Sequence, residues 1–199
     1  YEMIVVDGGS TDGTLDYLKS LRFSQLRVIS EPDTGIYNAM NKGISLSEGE
    51  YLCFLNAGDF LTGPEALAEV ANRLEGHLLY YFDVILKNGT GEIVYRNYPK
   101  KWSIFDLMSL HICHQAMWIK KSAFVELGSY NESYRFAADY EFTLRLLAKC
   151  PDEVKLRRGA FSVFSMDGVS SNQKNSIKIH NEFQMAEATY WSSISIRLG

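Results

Sequence analysis

The sequence predicts an α/β domain in which helices cover both faces of a mainly parallel sheet. Over residues 3–74, apolar strand-like runs alternate with segments whose apolar residues recur every three or four positions. The runs at 3–6 and 51–55 are apolar without alternation, as in strands that are buried on both faces. With 199 residues, 46% of them apolar and 22% charged, the chain has the composition of one globular domain.

Charge and cysteine content exclude some classes of protein. The net charge is −4 and no basic run occurs, so nucleic-acid binding through a basic patch is not expected. Three widely spaced cysteines without a C-x-x-C motif, Cys53, Cys113 and Cys150, indicate reduced thiols in a cytoplasmic protein. We expect neither a signal peptide nor a membrane span, because no apolar run approaches roughly 18 residues.

The first half of the chain alternates strands and helices. One helix carries Leu15, Leu18 and Leu21 on a single face, and the helix that begins at Ile36 has apolar residues at i, i+4 and i+8. Pro64 is typical of a first helical position. In order, the predicted elements are a strand at 3–6, a helix at 14–21, a strand at 26–30, a helix from 36, a strand at 51–55 and a helix after 64.

The second half predicts further strands and a helical end. The predicted elements are strands at 78–86 and 92–96, a helix at 102–110, a strand at 115–119, helices at 122–127 and 139–149, a strand at 160–165 and a helix at 177–196. This last helix is amphipathic, with aromatic residues on its apolar side. Packing on its own domain, dimerisation and contact with a membrane surface all stay open for it.

Three aspartates stand where an open α/β sheet binds its ligands. Asp7 follows the first strand and Asp59 the third, and such ligands lie beyond the carboxyl ends of the strands. Asp139, at the start of a helix, could join them. Three carboxylates in one place need a cation or hydrogen-bond donors between them, and a divalent metal on a diphosphate would be one such cation. Capping of turns and helices is the alternative role for Asp7 and Asp59.

Four segments resemble glycosyltransferase family 2 in their residues, order and spacing. They are IVVDGGSTDGT at 4–14, EPDTGIYNAMNKGI at 31–44, GEYLCFLNAGD at 49–59 and FAADYE at 136–141. The likeness extends over about residues 1–165 and is greatest for bacterial enzymes that build colanic-acid-type and other surface polysaccharides.

The resemblance implies a GT-A fold and an inverting, hexosyltransferase-type enzyme with a nucleotide-diphosphate sugar as donor. A UDP-sugar is favoured and a GDP-sugar stays open. The acceptor would be a saccharide or a lipid-linked molecule in surface polysaccharide biosynthesis. The enzyme would be cytoplasmic, with peripheral contact to the inner face of the membrane and a homodimer as further expectations. The transferase domain would span 1–170, with its first strand and helix missing upstream, and 171–199 would be a helical extension.

The resemblance also implies which residues hold the donor. The nucleotide would contact seven residues: Asp7, Gly8, Glu31, Asp33, Asn41, Lys42 and Asn56. Gly8 stands where the family usually has a second Asp, so the base of the nucleotide stays open. Asp59, at the end of a D-x-D-like motif, would bind Mg²⁺ or Mn²⁺. Asn56 and Gly58 replace the preceding acids, so diphosphate oxygens and water would complete the coordination.

The general base implied by the resemblance is Asp139, and Glu141 is the second candidate. An inverting transfer needs one carboxylate that takes the proton of the acceptor hydroxyl. His114 and Gln115 would contact the acceptor or the leaving diphosphate. Two other functions stay open, namely a sugar-nucleotide binding or scaffold domain without turnover and a nucleotidyltransferase.

Overall fold

The computed structural model describes residues 1–99, 106, 111–166 and 173–198, and the helices and strands below refer to them. The strands are β1 Met3–Asp7, β2 Leu26–Ser30, β3 Tyr51–Leu52, β4 Phe60–Leu61, β5 Leu79–Lys87, β6 Ile93–Arg96, β7 Met117–Lys120 and β8 Val154–Ser165. The helices are α1 Thr14–Ser20, α2 Ile36–Leu46, α3 Ala66–Ala71, α4 Lys121–Leu127, α5 Ala138–Lys149 and α6 Ser176–Leu198, and a 3-10 turn spans His114–Ala116.

The strands form a mixed arrangement around the long strand β5. β1 and β2 make a parallel pair, and the larger sheet has the order β3-β7-β5-β8-β4. β8 runs parallel along β5, whereas β7 and β6 pair with successive halves of β5 in antiparallel orientation. Among the described strands, parallel pairing is therefore less extensive than the sequence predicts. The reason for β6 is local, since a tight turn after β5 forces the chain to return as a hairpin.

Both faces of β5 are buried. The strand β1, for which the sequence predicts burial on both faces, is only partly buried, and Met3 is 51% exposed. Leu79, Tyr81 and Val84 belong to a large core that also includes side chains of α2, α5 and α6. Tyr80 and Phe82 point to the other face and pack in a smaller core with residues of α3. Helices thus cover both sides of this strand, which confirms the predicted layering.

Most predicted elements are found near their predicted bounds, with differences at the strands. The third strand ends at Leu52 rather than 55, and the short strand β4 had no sequence prediction. A 3-10 turn replaces the start of the strand predicted at 115–119, and the helix predicted at 102–110 lies outside the described residues apart from Asp106. β8 begins at Val154 instead of 160.

The first half of β8 contains charged residues, so its hydropathy pattern does not predict a strand there. The guanidinium carbon of Arg157 lies 5.4 Å from the ring centre of Tyr80, and its side chain forms an ion pair with Glu75. Arg158 donates a hydrogen bond of 2.9 Å to the buried carboxylate of Asp83. Both arginines therefore have an acidic partner on a neighbouring segment, so this polar stretch still pairs along β5.

The C-terminal helix α6 packs against α5, which was one of its three predicted roles. Ala186 and Ile194 are buried in this contact, and Phe183 and Tyr190 pack against the same core. Within the part of the chain that the structure describes, no helix is long and apolar enough to cross a membrane.

Candidate active site

Asp139, in the first turn of α5, lies in a polar network that reaches across the domain. One carboxylate oxygen, Oδ1, accepts hydrogen bonds from the Tyr37 hydroxyl at 2.8 Å and from the Tyr140 N–H at 2.9 Å. The other oxygen, Oδ2, lies 2.9 Å from Nδ1 of His114. The 3-10 turn between the core strands brings His114 to this position, and α2 presents Tyr37 from the opposite side.

The same network continues from His114 to Asp59. Nε2 of His114 lies 2.9 Å from Nδ2 of Asn56, and the Asn56 N–H donates to Asp59 Oδ2 at 3.0 Å. One assignment satisfies these bonds, with the amide donating to Nε2 and the imidazole proton on Nδ1 pointing at Asp139. We call the chain Asp59, Asn56, His114, Asp139 and Tyr37 the Asp59–Asp139 network. It brings together two of the three aspartates that the sequence singles out.

Asp59 is fixed by donors on three segments. Besides Asn56, the Gln115 amide donates to Oδ2 at 2.7 Å, and the Ser165 N–H donates to Oδ1 at 2.9 Å. Gly58 precedes it with φ of 96°, and a Cβ added there would lie 3.5 Å from Cβ of Ser165. A glycine therefore suits this turn by its conformation, whereas the contact to Ser165 is an ordinary one. Gln115 is only 1% exposed, and its amide is used to hold Asp59.

The surroundings of Asp139 keep its carboxylate ionised. Burial raises its pKa, but the hydrogen bonds from His114, the Tyr37 hydroxyl and the Tyr140 N–H together hold the pKa below its usual value. The Asp139 side chain remains 15% exposed, so a ligand can reach it.

Glu141, the second candidate base, faces another side of the same helix. Its carboxylate pairs with Arg145 and accepts the Tyr190 hydroxyl at 2.6 Å. Only 4% of its side chain is exposed, so the pair is enclosed between α5 and α6. Of the two candidate bases in this helical turn, Asp139 belongs to the Asp59–Asp139 network, and Glu141 is bonded to Arg145 and Tyr190 instead.

Asp7 closes the turn after β1 and joins it to β2. Its carboxylate accepts hydrogen bonds from the N–H groups of Gly9 and Ser10, from the Ser10 hydroxyl, and from the Ser30 hydroxyl at 2.6 Å. The Ser10 and Ser30 hydroxyls lower the pKa of Asp7 to about 2. This arrangement matches the capping role that the sequence left open, and the hydrogen bonds of Asp7 run to residues outside the Asp59–Asp139 network.

Four of the other predicted nucleotide contacts lie on or beside the loops after β1 and β2, namely Gly8, Glu31, Asp33 and Lys42. A Cβ added at Gly8 would lie 2.6 Å from Oδ2 of Asp33, so the Asp33 carboxylate fills the space beside Gly8. Asp33 also accepts the Gly35 N–H at 2.9 Å. Lys42 pairs with Glu31 at 2.8 Å and donates to the carbonyl of Pro32 at 2.9 Å. These contacts hold the loop at the end of β2 against α2.

Asn41 lies apart from this loop and holds the segment that leads to Asp139. Its amide donates to the Tyr130 carbonyl at 2.9 Å and accepts the Tyr130 N–H at 3.0 Å. A further bond of 2.8 Å reaches Glu132. Both polar ends of the amide are thus used within the protein.

Sequence reasoning missed two residues of the site, Tyr37 and Ser165. Tyr37 is 102 residues from Asp139, and the backbone N–H of Ser165 is 106 residues from Asp59. Tyr37 had a sequence signal, because it stands in the helical segment that resembles the family. A backbone donor such as the Ser165 N–H has no signal in the sequence.

Comparison with known proteins identifies the family. The model of glycosyl transferase family 2 matches residues 1–128. A PGL/p-HBAD biosynthesis glycosyltransferase of Mycobacterium bovis is 36% identical over 157 residues, which cover 73% of this chain and 57% of that protein. An uncharacterised glycosyltransferase of Mycobacterium tuberculosis is 32% identical over 181 residues, covering 88% of this chain and 67% of that protein. The chain thus spans little more than half the length of the first of these relatives.

Solved structures agree with this family in fold. Staphylococcus aureus TarS superposes with a TM-score of 0.69 and 17% identity, covering 97% of this chain and 60% of the TarS chain. Its complex with UDP-GlcNAc gives a TM-score of 0.66 with 16% identity, covering 97% and 61%. These likenesses confirm the GT-A type of α/β fold. The chain belongs to glycosyltransferase family 2.

Proposed function

We propose that this protein is an inverting glycosyltransferase in which Asp139 is the general base. The observation that carries the proposal is the ionised, partly exposed Asp139 carboxylate, held in one network with Asp59. Asp139 takes the proton of an acceptor hydroxyl while the hydroxyl oxygen bonds to the anomeric carbon. The bond from that carbon to the diphosphate breaks, and the nucleoside diphosphate leaves with its electron pair.

A nucleotide-diphosphate sugar is the proposed donor, with UDP favoured over GDP. TarS has been crystallised with UDP-GlcNAc and with UDP, which supports a UDP-sugar. The loop side chains around Gly8 would hold the nucleotide, and Asn56 would lie at the diphosphate end because it connects to Asp59. Asn41 would act indirectly, by holding the backbone before Asp139.

The proposed acceptor is a saccharide or a lipid-linked molecule. One relative is named for PGL/p-HBAD biosynthesis, and another, 30% identical over 154 residues, is an Escherichia coli chondroitin synthase. Both names support an acceptor that belongs to a glycolipid or a polysaccharide. Membrane-associated synthesis on the cytoplasmic side would follow from an acceptor of this kind.

We infer that Asp59 would supply a carboxylate ligand to a divalent ion. Within the described ranges, no group of three or more His, Cys, Asp or Glu residues is placed to hold a metal. Oδ1 of Asp59 accepts one hydrogen bond, from Ser165, which leaves a lone pair for Mg²⁺ or Mn²⁺. When bound, the ion would offset the charge of the leaving diphosphate.

Binding and turnover together test this function. We expect calorimetry to show that UDP-GlcNAc or another UDP-sugar binds more tightly than GDP-mannose, and that Mn²⁺ strengthens the binding. In the same preparations, UDP should also be released from the bound donor when water or a saccharide is the acceptor. Binding without any release would instead support the non-catalytic sugar-nucleotide domain, for which the replacement of the preceding acids of the D-x-D-like motif by Asn56 and Gly58 is the favouring observation.

The pH dependence of turnover tests the partnership of His114 with Asp139. A base must be ionised, so activity falls as pH drops through the pKa of Asp139, which lies below its usual value. In His114→Gln a main cause of that lowering is gone and burial then raises the pKa, so the acid limb of kcat should move to higher pH. His77→Gln, at another histidine–carboxylate pair, should leave the limb in place. An unchanged limb in His114→Gln would remove His114 from this role.

A further inference from the structure

The C-terminal helix α6 places one carboxylate directly against the segment that carries Asp139. Oε1 of Glu182 accepts the N–H of Arg135 at 2.9 Å. Oε2 accepts the N–H groups of Phe136 at 2.8 Å and Ala137 at 3.0 Å. Glu182 is 45 or more residues away along the chain, so this contact exists only because α6 packs beside α5.

These three N–H groups lie at the point where α5 begins. Ala137 is the N-cap residue, and alanine has no side chain that can accept a hydrogen bond there. Glu182, from another helix, accepts the N–H of this N-cap residue and of the two residues before it. A carboxylate is also favoured at the positive end of the α5 dipole. The first turn of α5, which contains Asp139, therefore owes its backbone position to Glu182.

The two residues that follow Asp139 in α5 form hydrogen bonds with α6. The Tyr140 hydroxyl donates to Glu187 at 3.0 Å, and the Tyr190 hydroxyl donates to Glu141 at 2.6 Å. The Asp139 side chain points to the other side of α5, towards His114 and Tyr37. The helix α6 thus contacts the first turn of α5 on the side opposite to the candidate active site.

The segment before α5 is also held at its far end. Asn41 bonds to both backbone groups of Tyr130, and Glu132 accepts the amides of Asn38 and Asn41 at 3.0 and 2.8 Å. Residues 130–137 are therefore anchored by α2 at one end and by Glu182 at the other. Loss of the second anchor frees the end that is adjacent to Asp139.

We propose that Glu182 is a positioning residue for the general base: it fixes the backbone at 135–137 so that Asp139 stays aligned with His114 and the acceptor. This inference rests on the proposed function of Asp139. It gives the C-terminal helix a part in catalysis beyond packing, because a displacement of about 1 Å at a reacting group can cost about 10²-fold in rate.

The test compares Glu182→Ala and Glu182→Gln with Ile194→Val. Ile194 is buried on the same helix, three turns further along, so its variant weakens the packing of α6 without touching residues 135–137. Turnover is followed as UDP release from UDP-GlcNAc well below the melting temperature. We expect Glu182→Ala to lower kcat by about 10²-fold with the donor Kd unchanged. Glu182→Gln, which keeps one acceptor oxygen, should show a smaller loss, and Ile194→Val should keep its kcat.

A second readout does not depend on activity. The Nδ1 proton of His114 donates to Asp139, so it should give a protected signal in ¹⁵N-correlated NMR spectra. We expect Glu182→Ala to weaken that signal and Ile194→Val to keep it. An unchanged signal, or an unchanged kcat in Glu182→Ala while Asp139→Asn is inactive, overturns the positioning role alone. Full turnover in Asp139→Asn overturns the base assignment, and the proposal for Glu182 with it.

Discussion

Replacement of Asp139 by Asn is expected to lower kcat by about 10²–10⁴-fold, the range that a positioned general base contributes. The substitution keeps the shape of the side chain and an oxygen for the Tyr37 hydroxyl, but the amide cannot take a proton. Because Asp139 is not among the residues proposed to hold the nucleotide, binding of a UDP-sugar should be retained. Steady-state turnover and calorimetry on the same preparation measure the two quantities separately.

A matched variant shows whether the effect belongs to Asp139. Asp152 is an exposed aspartate just beyond the end of α5, and Asp152→Asn removes the same charge away from the network. Its kcat should stay within about two-fold of the unchanged protein, as for surface substitutions in general. Turnover by Asp139→Asn at the level of this control would remove Asp139 from the role of base.

Replacement of Arg145 by Ala is expected to destabilise the domain by about 3–5 kcal/mol, because it leaves the buried Glu141 carboxylate without its cation. Arg145 is 11% exposed and Glu141 4% exposed in their side chains. The guanidinium also donates to the carbonyls of Leu127, Gly128 and Ser129, so the loop between α4 and α5 loses its contacts as well. Such a loss is a large fraction of the 5–15 kcal/mol that typically holds a domain together.

Urea unfolding of single and double variants measures this effect. In Arg145→Met combined with Glu141→Gln the unpaired charge is gone, so part of the lost stability should return. The Gln side chain still offers an oxygen to the Tyr190 hydroxyl. A loss below about 1 kcal/mol in Arg145→Ala would show that this pair behaves like an exposed ion pair.

The sequence by itself determined the order and type of most elements and the segments that carry the site. Apolar runs specify strands, and β1 and β5 lie where the runs at 3–6 and 78–86 predict them. The spacing of Ile36, Met40 and Ile44 specifies one face of a helix, and Met40 and Ile44 are buried on α2. These patterns are readable because they depend on neighbours within a few residues of one another.

The tertiary structure decided strand pairing and the partners of each polar group. The antiparallel neighbours of β5 and the charged half of β8 depend on register and on acids supplied by other elements. The hydrogen bonds that hold Asp139 span 25 residues to His114 and 102 to Tyr37. Glu182 reaches the start of α5 only because two helices pack side by side. Local patterns fix the direction of a side chain on its own helix or strand, but which groups meet is set by how those elements are packed in space.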